Sequence, residues 1–287
     1  MRKLGLIAGG GALPAALAAK CAAAGRPLYV LRLTGFAGPE LEAYDGAPCG
    51  IAEVGRAFKL LRAAGCEAVC FAGNVSRPDF AALKPDLRGL ALLPAVVAAA
   101  RGGDDALLRV VLGAFEAEGF VLEGAEEVDA GLTLGPGALG RHAPEAEHLD
   151  DLHRALRIAR AAGALDIGQA AVVASGLVLA VEAQEGTDAM LARVASLPAA
   201  LRGGEGARAG VLAKAPKPIQ DLRVDLPTLG AATVEGAAAG GLAGVVAEAG
   251  ATLVVDREAT AAAADRLGLF VWGEPPPGPP STPEPLE

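Results

Sequence analysis

The sequence predicts a two-domain α/β protein, with a parallel sheet in its N-terminal half, a second α/β domain after it and a ligand site between them. Three observations carry that expectation. Short apolar runs alternate with helical stretches along both halves. A strand, three glycines and a helix open the chain, and a Gly- and Pro-rich stretch without periodicity interrupts it near the middle. At 287 residues the chain is long enough for a core on each side of that interruption.

Lys3–Ala8 (KLGLIA) reads as a buried strand, Gly9, Gly10 and Gly11 as a tight turn, and Ala12–Ala24 as a helix stopped by Gly25. This is the opening of a Rossmann-like nucleotide-binding unit, because glycine lets the backbone approach a phosphate at a helix N-terminus. Gly10, Gly11 and Leu13 are its candidate substrate contacts. The dinucleotide fingerprint is only partly met: Gly9 and Gly11 fit, but Pro14 stands where the third glycine belongs. The second strand, Leu28–Leu33, is followed by no acid for a ribose hydroxyl. A mononucleotide moiety suits this turn better than NAD, and a turn made only for helix packing is the alternative.

A helix at Val54–Ala64 and a strand at Ala68–Ala72 continue the alternation. The loop Gly73–Pro78 then lies at the carboxyl end of a strand, where open α/β sheets place ligands, and offers Asn74 and Arg77. Ordinary loop chemistry accounts for the same residues. Helices are expected over Leu90–Arg101 and from Asp104 to near Gly119, with Asp104 and Asp105 at a helix start. A strand at Phe120–Glu123 precedes acids at 126, 127 and 129 that suit another helix start. These residues make an N-terminal domain of 1–133 and leave 134–148 as linker.

The second domain, 149–273, begins with an amphipathic helix over Leu149–Ala162 that turns Leu152, Leu156 and Ala159 inward. Ala170–Ala174 and Leu177–Glu182, joined by Ser175-Gly176, form a hairpin pattern. A helix over Ala189–Ser196 takes Thr187 or Asp188 as N-cap, and Gly186 before it leaves N–H groups for a phosphate. Glu182, Glu185 and Asp188 are candidate metal ligands there. A strand at Gly210–Ala213, a small-residue helix over Thr233–Ala249, a strand at Thr252–Val255, an Asp256-capped helix over Glu258–Leu267 and a strand at Leu269–Trp272 complete the domain. The glycines of the small-residue helix allow close approach of another backbone or an acyl chain. The Pro-rich tail, 274–287, is expected to be disordered.

The most chemically loaded stretch runs from Lys214 to Pro227. It holds Lys214, Lys217, Gln220, Asp221, Arg223 and Asp225 within a chain otherwise rich in Ala, Leu and Gly. From Gln220 to Leu226 polar and apolar residues alternate, so an extended strand puts Asp221, Arg223 and Asp225 on one face. Two carboxylates flanking a guanidinium suit a divalent metal and a phosphate. A solvated edge strand with self-compensated charge is the other reading.

The net charge of −9 argues against a nucleic-acid partner. An anionic substrate must therefore be neutralised locally. The hydrophobic fraction is 52% but aromatics are only 3%, which points to closely approaching elements rather than aromatic clusters. Cys21, Cys49, Cys66 and Cys70 form no CxxC pair and read as buried, inert thiols. The three histidines lack zinc-site spacing. Uncharged runs such as Gly89–Ala100 are too short to span a bilayer, and the N-terminus lacks signal-peptide character. A cytoplasmic protein is expected, and the sequence leaves open a peripheral contact with the inner membrane and a homo-oligomer.

GLIAGGGALP, GNVSRP, GGDDALL, DIGQAAVVASGLVLAVEAQEGTDAML, KAPKPIQDLRVDLPTLG and TVEGAAAGGLAG together resemble the LpxI-type UDP-2,3-diacylglucosamine pyrophosphatases of lipid A biosynthesis. The similarity spans nearly all of the chain except the tail. It implies hydrolysis of an amphiphilic nucleotide-sugar lipid to lipid X and UMP, with Mg²⁺ or another divalent cation. On that basis Asp225, with Asp221, coordinates metal or orients water, while Lys214, Lys217 and Arg223 neutralise phosphoryl charge. Asp225 and Glu182 are the expected metal ligands, and Gln169, Thr187 and Asp188 complete the pocket. Two acyl chains call for an apolar cavity, expected between the domains. An NAD-dependent oxidoreductase and a non-catalytic lipid or nucleotide carrier are the rival readings.

Overall fold

The computed structural model describes residues 1–76, 83–102, 104–218 and 226–276. The chain separates into two compact units, with the division between Gly131 and Leu132.

The first unit is built on β1 (Leu4–Ala8), α1 (Leu13–Ala23), β2 (Leu28–Leu33), β3 (Gly46–Cys49), α2 (Val54–Ala63), β4 (Ala68–Ala72), α3 (Leu87–Ala99), α4 (Asp104–Ala117), β5 (Val121–Leu122) and α5 (Ala125–Val128). The five strands form one sheet in the order β3-β2-β1-β4-β5, every pair parallel. Parallel strands buried on both faces read as continuous apolar runs, and all five residues of β1 are buried. Strand β3 escapes the sequence pattern: GAPC has no β-branched residue, and Pro48 is tolerated because β3 is an edge. Ile7, Leu31, Phe58, Val69 and Phe115 share one core, where Phe58 and Phe115 meet edge to face at 4.8 Å between centroids. All four cysteines are free and buried, and burial pushes Cys49 and Cys66 up to about 11. Helix α3 starts earlier than expected because Asp86 caps it, accepting from Gly89 N at 2.8 Å.

The second unit comprises β6 (Gly137–Ala138), α6 (Ala146–Ala164), β7 (Ala170–Ala174), β8 (Leu177–Val181), α7 (Gly186–Ala195), α8 (Ala199–Arg202), β9 (Gly203–Gly204), β10 (Ala207–Arg208), β11 (Val211–Lys214), β12 (Thr228–Leu229), α9 (Ala231–Ala239), β13 (Gly244–Glu248), β14 (Leu253–Val254), α10 (Arg257–Leu267) and β15 (Phe270–Glu274). A mixed sheet runs β6-β15-β13-β11-β7-β8, with β11, β13 and β15 parallel and β7 antiparallel to β11. Helix α6 packs on one face through Leu152, Leu156 and Ala159. Met190, Val234 and Ala264, from α7, α9 and α10, belong to the core on the other. The Gly- and Pro-rich stretch read as a linker is built into this unit. Leu134 is 1% exposed in its core and Gly137 pairs with Gly273 of β15.

The long helix expected over Thr233–Ala249 is instead α9 followed by β13. Gly241, at φ 73°, ends the helical path, and the valines of GVVAE then suit a buried strand. Its glycines meet protein rather than open space: a Cβ on Gly236 would lie 3.0 Å from Leu191 and one on Gly244 2.4 Å from Phe270. The surface expected to receive acyl chains is thus occupied by the protein's own packing. Among the described residues no helix is long and apolar enough to cross a membrane.

Candidate functional site

In the first unit, β1 and β4 end side by side, and the turns after them are tied together. Gly10 N donates to Asn74 O at 2.9 Å and Asn74 N donates to Gly10 O at 2.8 Å. Glycine is required at this crossing, since a Cβ on Gly9 would lie 2.8 Å from Asn74 O and one on Gly73 2.5 Å from Gly10 O. The Gly10 amide is therefore engaged by protein. Gly11, at φ 85°, is exposed beside the Asn74 side-chain amide, and α1 begins at Leu13 with Pro14 in its first turn. Arg77 lies outside the described residues.

An apolar cavity of about 550 Å³ lies wholly within this unit, whereas sequence reasoning expects such a space between domains. It reaches from Gly9, Gly73 and Asn74 to Leu93, Leu108 and Phe115.

In the second unit, the start of β7 and the ends of β8 and β11 come together at the carboxyl edge of the parallel strands, with the first turn of α7 beside them. Glu182 follows β8 and is 5% exposed. Its Oε1 accepts the Thr187 hydroxyl at 2.8 Å and its Oε2 accepts Gln169 N at 3.2 Å. Lys214, the last residue of β11, is also 5% exposed, and its Nζ donates to Thr187 Oγ1 at 3.0 Å and to the Thr228 carbonyl at 2.9 Å. An ammonium carries three protons, so one is left without a partner among the described residues. Burial lowers the Lys214 pKa, against the pull of the Glu182 and Asp188 charges. Gln169 Oε1 is buried with no hydrogen-bond partner among the described residues.

Thr187 and Asp188 sit in the first turn of α7 rather than at its N-cap, which is Glu185. The Thr187 hydroxyl serves Glu182 instead of the helix end. Asp188 is exposed. Lys217 Nζ pairs with Asp166 Oδ1 at 2.7 Å, with side chains 15% and 18% exposed. Sequence reasoning missed Asp166 and Thr228 as partners of the lysines. Asp166 carries a backbone signal, φ 53°, whereas Thr228 acts through its carbonyl and leaves no side-chain trace. Gln220, Asp221, Arg223 and Asp225 lie outside the described residues.

Among the described residues no three His, Cys, Asp or Glu side chains cluster as a metal site. The donors present still suit Mg²⁺, which takes hard oxygens and is commonly held by one or two carboxylates together with substrate phosphate. A buried Glu182 carboxylate and the orphaned Gln169 Oε1, linked through Gln169 N, match that chemistry. The cluster as a whole can hold an anion against a dry ammonium while keeping an acidic side for a cation.

Two family models match the chain: the LpxI N-terminal domain over residues 3–132 and the LpxI C-terminal domain over residues 135–272. The chain is also similar to the UDP-2,3-diacylglucosamine pyrophosphatase LpxI of Caulobacter vibrioides, at 66% identity over 273 residues, covering 95% of this chain and 98% of the relative.

Proposed function

Since the chain belongs to the LpxI family, we propose that it hydrolyses the pyrophosphate of UDP-2,3-diacylglucosamine to lipid X and UMP, in lipid A biosynthesis. The observation that carries the reading is the likeness, along nearly all of the chain, to a relative named for that activity.

The geometry of the second unit supports it. A buried ammonium with one proton unassigned is suited to a phosphoryl oxygen, because a fixed charge in a dry site acts with little screening and no reorganisation. Thr187 orients that ammonium, and Glu182 orients Thr187. Lys217, Arg223, Asp221 and Asp225 are assigned by resemblance: the cations to phosphate oxygens, and Asp225 with Asp221 to the attacking water. Gly11, Leu13, Asn74 and Arg77 of the first unit are assigned to the nucleotide. When bound, Mg²⁺ would be held by Glu182, Gln169 Oε1 and Asp225, and would supply Lewis-acid stabilisation of the phosphoryl oxygens. Water adds to the phosphorus on the sugar side, the bridging P–O bond breaks, and UMP leaves with its phosphate. The setting implied is the cytoplasm, with peripheral access to the inner membrane.

The purified protein should release UMP from UDP-2,3-diacylglucosamine in the presence of Mg²⁺, and failure to do so overturns the reading. In heavy-oxygen water the label should enter lipid X; label in UMP would move the attack to the other phosphorus. Asp225→Ala should abolish turnover while substrate still binds.

A further inference from the structure

We infer that Arg193 and Glu185 are positioning residues for the Glu182, Thr187 and Lys214 cluster, an assignment that rests on the function proposed above. Glu182 and Thr187 reach one another across the corner that joins β8 to α7, and the aim of both depends on how that corner is held. Each residue has two soft backbone dihedrals, so the direction in which Glu182 leaves the chain is set by the peptide planes on either side of it. The plane before it is tied to the sheet, where Glu182 N donates to Ala170 O at 2.9 Å. The carbonyl of that plane, on Val181, accepts Arg193 Nη2 at 3.2 Å. The plane after it lies beyond the end of β8, and its N–H, on Ala183, donates to Glu185 Oε2 at 3.1 Å. Glu185 Oε1 in turn accepts the same Arg193 nitrogen at 2.9 Å. One ion pair thus holds both planes that flank the buried carboxylate.

The setting fits a positioning role better than a stabilising one. Arg193 stands in the last turn of α7, and long helical side chains lean back towards the N-terminus, which brings its guanidinium to the corner. Both oxygens of Glu185 are engaged by the chain, so a carboxylate that the sequence offers as a metal ligand serves here as a brace. Its own backbone amide, and then Arg193, hold the Glu185 carboxyl below the usual carboxylate range, which keeps the pair charged near neutrality. The two side chains are 50% and 33% exposed, and an ion pair that open to water contributes little to global stability. Loss of the brace is therefore read in the aim of Glu182 and Thr187 and not in whether the protein folds. Contacts that orient a working group without touching substrate commonly carry effects of about ten- to a hundredfold on activity.

Arg193→Gln removes the brace and tests the inference in the full-length protein. Its kcat should fall by about tenfold while KM changes by less than about twofold, because the groups misaimed are those that act on charge developing in the transition state. Arg193→Lys should restore most of the loss: a single Arg193 nitrogen serves both acceptors, and an ammonium with three donors can do the same. Arg266→Gln, which deletes the exposed ion pair between α10 and Glu235 of α9, is the control and should keep the parent kcat. Amide exchange at Ala183, followed by NMR without substrate or metal, should quicken by about tenfold in Arg193→Gln. Parent-level kcat in Arg193→Gln, an equal loss in Arg266→Gln, or unchanged exchange at Ala183 each overturns the inference. The two readings fail separately: a parent protein that releases no UMP removes the proposed activity, and exchange at Ala183 still decides the brace.

Discussion

Thr187 donates its hydroxyl to Oε1 of Glu182 at 2.8 Å, and its Oγ1 accepts from Nζ of Lys214 at 3.0 Å. A buried carboxylate and a buried ammonium thus meet through one hydroxyl group, whose orientation is set by the first contact and used by the second.

Thr187→Val keeps the side-chain volume and removes that link. Loss of partners for two buried charged groups should cost about 1–3 kcal/mol of stability. kcat/KM should fall by about tenfold or more, as when a supporting contact is removed from a reacting group. Thr187→Ser should restore most of both. Steady-state kinetics and urea unfolding on the three proteins check this, and parent-level turnover in Thr187→Val would remove the link from the mechanism.

Burial lowers the Lys214 pKa, so its charge is lost at a lower pH than an ordinary lysine's value of about 10.4. If the charged form binds phosphate, kcat/KM should decline with rising pH through that lowered value. Asp188→Asn removes one of the two charges that hold the pKa up and should shift the decline to lower pH. Stability runs the other way. The ammonium opposes folding, so Lys214's contribution is fully present above about 10.4 and is lost as pH falls through the folded-state value. Lys214→Met should erase that pH dependence, as read by urea unfolding across the alkaline range.

Asp166 holds Lys217 at 2.7 Å from a left-handed backbone position, φ 53°. Asparagine tolerates that conformation, so Asp166→Asn should change stability by no more than about 1 kcal/mol. It should raise KM severalfold if Lys217 contacts substrate, because the lysine loses the group that aims it. Unchanged kinetics would make the pair purely structural.

At α3, Asp86 accepts from Gly89 N and Arg56 N, both at 2.8 Å. Burial raises its pKa, but backbone donors outweigh burial and the net shift is downward. Its stabilisation should be present above about pH 3.9 and lost as pH falls through the lowered value. Asp86→Ala should cost about 1 kcal/mol at neutral pH and nothing in strong acid, measured by unfolding at both.

Chelation should abolish UMP release, and added Mg²⁺ should restore it. Glu182→Gln should raise the Mg²⁺ concentration required, because one hard anionic donor becomes neutral.

Much of the architecture was legible because local chemistry decides it. Ser175 at φ 50° and Gly176 at φ 75° make the hairpin turn that their residue types demand, with Asp151 accepting both amides at 2.7 Å. Asp256 caps α10 as its position indicates, accepting from Ala259 N at 3.0 Å. Legibility failed where every residue is small. Between Thr233 and Ala249 no periodicity separates faces, so only tertiary pairing with β11 and β15 distinguishes strand β13 from more helix. Glu182, Thr187 and Lys214 stood out as polar residues in apolar company. That Thr187 serves Glu182 rather than the helix end depends on a five-residue separation that only the folded corner after β8 closes. The acid-rich segment with Asp221, Arg223 and Asp225, expected from its alternation to be extended, lies outside the described residues.

The reciprocal bonds between Gly10 and Asn74 splice two connections, far apart in sequence, into one strap. Any residue larger than glycine at position 9 or 73 would have to push the two backbones apart, so a side chain at either place would break the bonds made by the other. The ends of β1 and β4 are accordingly held level, so that a shift of one strand along the sheet has to carry its neighbour with it.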